Sequence, residues 1–255
     1  MKVVFWLLLA VSSPLCGCTL RPAALPPASP VAEGRSLAAP AWGELVFDEA
    51  CPAAQAEAWE LQAAADPRAL LGGAACMVFV AERAVSGEEA LSAAQRGRSL
   101  AAAAVVRWPH SAAAHYLLAY ATGLVAEQQP LQALELVTVI EQEAQRAADL
   151  DATIDNGGPE RMLGELYLRA PGFPVSIGDS SAAVEHYRRA VILAPENPAN
   201  RLGLVEALLA EEQHPAACDE LSVLFSLLVA EVPGDDWQRA IELQQRLCRQ
   251  LQGNP

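Results

Sequence analysis

The chain has almost nothing with which to run a reaction. Its 255 residues contain no G-x-S-x-G elbow, no Walker loop and no dinucleotide fingerprint. The four histidines, His110, His115, His186 and His214, form no H-x-x-x-H ligand pair. His110 and His115 stand five apart, on different faces of a helix, and read as solvated or incidentally packed. No two cysteines of the mature chain have the C-x-x-C spacing of a redox or zinc site. These absences argue against an enzyme, a metal site and a cofactor. Base is scarce as well: 17 Lys and Arg face 31 Asp and Glu, a net charge of −14. That sign repels phosphates, so nucleic acid and anionic membrane surfaces are poor partners. Aromatics make up 5% against 53% hydrophobic residues, because alanine dominates. Small side chains let helices approach closely, as stacked helical hairpins require. No run alternates apolar and polar residues as a half-buried strand would. The fold class is all-α.

The N-terminus is the one strongly apolar run. Lys2 precedes Val3 to Val11, and small and turn-forming residues follow, which is a signal-peptide layout too short to span a membrane. The run ends in Leu15-Cys16-Gly17-Cys18, a lipobox-like ending. Cleavage before Cys18 puts small Gly17 in the peptidase pocket, so residues 1–17 are expected to be removed and Cys18 lipidated. An ordinary secretory signal with incidental cysteines is the alternative. Losing 17 of 255 residues leaves 238, with a net charge of −15 once Lys2 is gone. Three acyl chains, at about 0.8 kcal/mol per buried methylene, would anchor the chain stably. Thr19 stands where an Asp would retain an inner-membrane lipoprotein, which points to the outer membrane, facing the periplasm. Residues 18–41, rich in Pro, Ala and Ser, read as a semi-rigid tether ahead of a helical domain over 42–255.

From Trp42 onward, apolar residues recur at three- and four-residue spacing. The pattern predicts helices over about 52–65, 68–85, 87–106, 111–126, 130–150, 159–170, 180–194, 198–212, 215–231 and 235–251. Asp66-Pro67, Ser86-Gly87, Trp108-Pro109, Gln129-Pro130, Gly157-Gly158-Pro159 and Pro233-Gly234 are among the breaks. Asp149, Asp151 and Asp155 precede one of them, but Thr153 and Ile154 stand where a calcium loop needs oxygen ligands and glycine. The acidic run therefore reads as a solvated connection.

Repeats supply the architecture. Leu163, Gly164 and Tyr167 give the L-G-x-x-Y of a first tetratricopeptide helix, and Ala183, Tyr187, Ala190 and Pro195 match the second. Ala183, Tyr187 and Ala190 recur 34 residues later as Ala217, Leu221 and Leu224. Leu163, Gly164 and Tyr167 recur at 41 as Leu204, Val205 and Leu208, which is the same period plus a seven-residue insert. The architecture expected is a tetratricopeptide-like helical-hairpin solenoid of about four repeats. A C-terminal capping helix should bury one face through Trp237, Ile241 and Leu247.

The insert, Pro171 to Asp179, lies in the turn of the half-repeat GGPERMLGELYLRAPGFPVSIGDSSAAVEHYRRAVILAPENP. With the flanking G-G-P, L-G-x-L-Y and N-R-L, this stretch resembles the TatT component family associated with TRAP transporters. The resemblance spans Gly157 to about Leu221, and the first hundred residues match only in helical pattern. It implies a helical periplasmic lipoprotein that docks the solute-binding protein of a TRAP-type transporter, with a homotrimer around a central passage as one form of it. The solute it implies is a small organic acid or hydrophobic carboxylate, its anion held on the partner or on arginines such as Arg161 and Arg201. Repeat scaffolds also serve as structural or assembly lipoproteins of the outer membrane, the competing reading, since fold alone does not fix function.

Two further expectations rest on residues. Cys218 and Cys248 are equidistant from the Pro233-Gly234 break, so an antiparallel hairpin sets them level and a disulfide is expected. Cys51 and Cys76 flank the Asp66-Pro67 break less symmetrically and form a second candidate pair; four buried thiols are the alternative. In the insert, two prolines around Phe173 make a stiff apolar loop, with Asp179 or Ser180 available to cap the next helix. Two readings stay open. Phe173, Pro174 and Tyr167, beside Pro171, line a groove or pore with Arg161 and Asn200 near its rim, or Phe173 plugs a gap between hairpins while Arg161 pairs with Asp179.

Overall fold

The computed structural model describes residues 38–45, 51, 56–227 and 234–248. The signal segment 1–17, Cys18 and most of the tether lie outside the described residues, as do the side chains of Trp237 and Leu247. Leu37–Pro255 forms one compact unit. Among the described residues, a short 3-10 turn at Trp42–Glu44 precedes ten helices: α1 (Ala56–Ala65), α2 (Ala69–Arg83), α3 (Gly87–Arg107), α4 (Ala112–Gln128), α5 (Ala133–Asp151), α6 (Ile154–Arg169), α7 (Ser180–Leu193), α8 (Pro198–Ala210), α9 (His214–Leu227) and α10 (Gly234–Leu243). A π-helical turn over Gln244–Cys248 closes the described chain. No strand occurs among the described residues.

The helix starts follow from capping. The Ser86 hydroxyl accepts from the Glu89 N–H, Ser111 from Ala114, and Asn197 from Asn200, with Pro198 at the first helical position. Consecutive helices pack against each other, so α2/α3, α4/α5, α6/α7 and α8/α9 are four hairpins with α10 after them. The architecture is the all-α helical-hairpin solenoid expected of the repeats. Positions related by the 34-residue period occupy equivalent core sites: Ala183 and Ala217, Tyr187 and Leu221, Ala190 and Leu224 are all buried.

Alanine lets α2, α3 and α4 sit close around Leu71, Met77, Leu100 and Leu117. A second core gathers Tyr187, Leu204, Leu208, Leu221 and Leu224 from α7, α8 and α9, and α10 adds Ala240 and Leu243. Among the described side chains of the cap, Ala240 and Leu243 are buried and Ile241 is half-buried. The tether also ends earlier than composition suggests, because Ala39 packs on the first core and Pro40 is buried.

Both expected disulfides are present. Cys218 joins Cys248 across 30 residues and fastens the closing turn to α9. Cys51 joins Cys76 on α2 across 25 residues, tying the segment before α1 to the first core.

Candidate functional site

The even-numbered helices α2, α4, α6, α8 and α10, with the first half of α5, wall a cleft of about 1240 Å³. Its apolar surface comes from Val85, Leu134, Val137, Ile140, Met162 and Leu166. The floor is polar. Arg161, one turn into the regular part of α6, donates to the Asp155 carboxylate at 2.6 Å and to the Asn200 side-chain oxygen at 2.8 Å. The Tyr116 hydroxyl also donates to Asp155, at 2.6 Å.

This network explains the α5–α6 junction. Asp155, Asn156 and Gly157 take φ values of 48°, 54° and 82°, a left-handed run that favours glycine and asparagine and strains Asp155. Asn200, with no exposed surface, donates from its amide to the carbonyls of Asn156 and Ala190, both at 2.9 Å. The bend is therefore held from α4, α6 and α8 at once. Asp155 is no solvated connection, as the acidic run had suggested; the bend folds its carboxylate back under Arg161.

The remaining charges of the cleft form a ladder. Arg169 bridges Glu165 and Glu206 at 2.9 Å each, and Arg239 reaches the other oxygen of Glu206 at 2.9 Å. Tyr187 donates to Glu165 at 2.6 Å. Its ring is wedged between Gly164 and Gly203, where a Cβ would come within 2.7 Å and 2.0 Å of it. Opposite, the Tyr120 hydroxyl donates to Glu82. Burial is the first cause that lifts the Glu82 carboxyl above its ordinary range, and the Tyr120 hydrogen bond partly offsets it. Glu127 is exposed; desolvation by its surroundings, then the charges of Glu165 and Glu82, raise it too, and Arg169 partly offsets them. Burial likewise raises all three cleft tyrosines, Tyr116, Tyr120 and Tyr187.

Of the residues expected from the sequence to bind a ligand or partner, only Arg161 and Pro171 line this cleft. Asn200 is beneath it rather than at a rim. Tyr167 faces elsewhere, donating to Glu141 at 2.6 Å and stacking on His186 with ring centroids 5.3 Å apart. Arg201 is held by Glu220 at 2.6 Å and by the Pro195 carbonyl at 2.8 Å. Asp179 caps α7, accepting from the N–H groups of Ser181 and Ala182 at 2.9 and 3.0 Å, and does not pair with Arg161. Phe173 is 93% exposed, so it plugs no gap between hairpins; Pro174, joined to it by a cis peptide bond, is exposed as well.

The insert is nevertheless a built loop. The Gly178 N–H donates to the Pro171 carbonyl and the Asp179 N–H to that of Tyr167, both at 2.9 Å. The Val175 N–H closes an inner turn on the Gly172 carbonyl at 3.1 Å. A Cβ at Gly178 would come within 2.0 Å of the Ala170 carbonyl oxygen, so only glycine permits this closure.

Sequence reasoning missed Tyr116, Asp155, Tyr120 and Glu82, whose partners lie 38 or 39 residues away along the chain. It also read the histidines as incidental. His186 lies 2.7 Å from Glu160, and His115 lies 2.5 Å from Glu143 while its other ring nitrogen donates to the Pro109 carbonyl at 3.0 Å. Both are buried ties between the two helices of one hairpin, α4 to α5 and α7 to α6. Apolar neighbours at helical spacing were the only sequence signal for that burial. Compared with known proteins, the sequence matches no family model and no curated protein.

Proposed function

We propose that this chain is a lipid-anchored periplasmic scaffold that binds a partner protein, the solute-binding component of a TRAP-type transporter, and so assists uptake of a small organic acid. The observation that carries the partner-binding role is Phe173, held 93% exposed at the tip of a loop closed by its own backbone hydrogen bonds. Burying an aromatic ring yields its energy only on contact, and a loop already ordered loses little entropy when it docks. The turns before α3, α5 and α7 lie at one end of the antiparallel array, and there Val85, Leu131 and Val175 are also exposed. Exposed apolar side chains collected at one end suit a protein interface. The TRAP assignment rests on the TatT-like stretch from Gly157 to Leu221, and the anchor on Cys18.

In-cell crosslinking of tagged full-length protein, read by mass spectrometry, tests this. A solute-binding protein is expected among the products and should be lost with Phe173→Ala. Recovery of only outer-membrane assembly proteins, or of the chain itself, would remove the uptake role and favour an envelope assembly lipoprotein.

A further inference from the structure

The cleft has an imbalance that its own residues do not correct. Each guanidinium lining it already faces a carboxylate: Arg161 has Asp155, Arg169 has Glu165 and Glu206, and Arg239 has Glu206. Those groups cancel. Glu82 and Glu127 are left over on α2 and α4, and neither makes an ion pair among the described residues. The nearest polar partner of Glu82 is a neutral phenol, Tyr120. Both side chains reach solvent at the cleft, both carboxyls are raised first by desolvation, and Glu82 adds to the rise at Glu127. Two carboxylates with no ion-pair partner in contact, beside the Tyr120 ring and walled by Val85, Leu134, Val137 and Ile140, are complementary to a cation on an apolar body.

Size decides what carries that cation. Pockets for small molecules run to about 300–1,000 Å³, and this cleft, at about 1240 Å³, is larger and open along several hairpins. We propose that the cleft takes a segment of a partner protein in which a lysine or arginine is flanked by apolar side chains, the cation seated between Glu82 and Glu127. This rests on the reading of the chain as a partner-binding scaffold and adds the chemistry by which the partner is recognised. It leaves no role in anion binding for the arginines of the cleft, since each is already paired with a carboxylate.

The test uses the purified full-length chain and fluorescent peptides of Leu and Ala that carry a pair of Lys, Gln or Glu at the same positions. Anisotropy titration should rank Lys far ahead of Gln and Glu. Glu82→Gln with Glu127→Gln should weaken the Lys peptide by about tenfold or more, the scale of losing charge-assisted contacts. Glu127→Gln alone should weaken it measurably, and Glu185→Gln, on the exposed face of α7, should leave it unchanged. Melting curves check that the variants fold, and the single Glu127 change at an exposed tip guards against a misfolded double variant. Equal binding of the Gln and Lys peptides, or a Lys peptide indifferent to both carboxylates, would overturn the proposal. The scaffold reading fails separately. If crosslinking captures a solute-binding protein equally well with Glu82 and Glu127 neutralised, the scaffold stands and the cleft assignment falls. If no partner is captured while the peptide ranking holds, the reverse is true.

Discussion

Replacing Gly203 with alanine sets two effects of opposite sign against each other. Alanine is the better helix former, so at an unencumbered interior position of α8 the change would stabilise the protein by about 1 kcal/mol. At Gly203 the new Cβ would sit 2.0 Å from Cε1 and 2.4 Å from Cζ of Tyr187. Ordinary contact begins at 3.4 Å, and on the far side Gly164 already packs close against the same ring. The ring has nowhere to retreat. Overpacking of this kind costs about 1–3 kcal/mol. If Tyr187 swings out, its bond to the Glu165 carboxylate goes with it, a further loss of about 1.5–3 kcal/mol. The net is a loss of about 3 kcal/mol, or roughly 6–12 °C in Tm for a domain of this size. Gly123 in α4 is the internal control, because a Cβ there meets nothing within 4 Å. Gly123→Ala should raise Tm by roughly 2–4 °C. Thermal melts and urea titrations of the two variants decide the matter by sign alone. In a Tyr187→Ala background, Gly203→Ala should turn neutral or stabilising. A Gly203→Ala protein as stable as the parent, with Tyr187 intact, would refute the wedge.

Denatured mature protein should show no free thiol among Cys51, Cys76, Cys218 and Cys248 before reduction and four after it, counted with a chromogenic thiol reagent. Opening Cys218–Cys248 by Cys218→Ser with Cys248→Ser should cost about 3.5 kcal/mol by the chain-entropy model for a loop of this length, read as a urea midpoint. Asp179→Ala should lower stability by about 1 kcal/mol, the usual cost of a lost cap. The Ala182 N–H and the Ser181 hydroxyl hold the Asp179 carboxyl below its ordinary range. A group depressed in the folded state stabilises fully above its unfolded value, so the difference between parent and variant should be complete above about pH 4 and shrink as pH falls below it. All four tyrosines of the chain are raised, Tyr167 to about 12 by burial and the Glu141 carboxylate, and the others by burial first. Absorbance of tyrosinate should therefore stay flat in the folded protein through pH 10 and rise there only after denaturation.

Local chemistry was legible because it acts over one helical turn. Three- and four-residue apolar spacing fixed the helices, proline and glycine fixed the breaks, and Asp179 was visible as a cap before its partners were. The 34-residue period identified Ala183, Tyr187 and Leu221 as core, since a stacked repeat must bury the same face each time. Even the disulfide of Cys218 and Cys248 followed from their equal distances to one break. The cleft was not legible. Glu82 and Tyr120, Tyr116 and Asp155, and Arg161 and Asn200 are each 38 or 39 residues apart, and no local rule couples positions on successive hairpins. The left-handed run at Asp155 turned that one carboxylate of the acidic stretch inward, where its spacing had suggested solvent, while Asp149 and Asp151 stay exposed. Phe173 shows the limit from the other side. Its sequence specified a stiff loop, but whether the ring faced the core or the solvent depended on how tightly α6 and α7 already packed. Periodicity tells which face of each helix is buried; which of the remaining polar side chains meet is decided only when the hairpins stack.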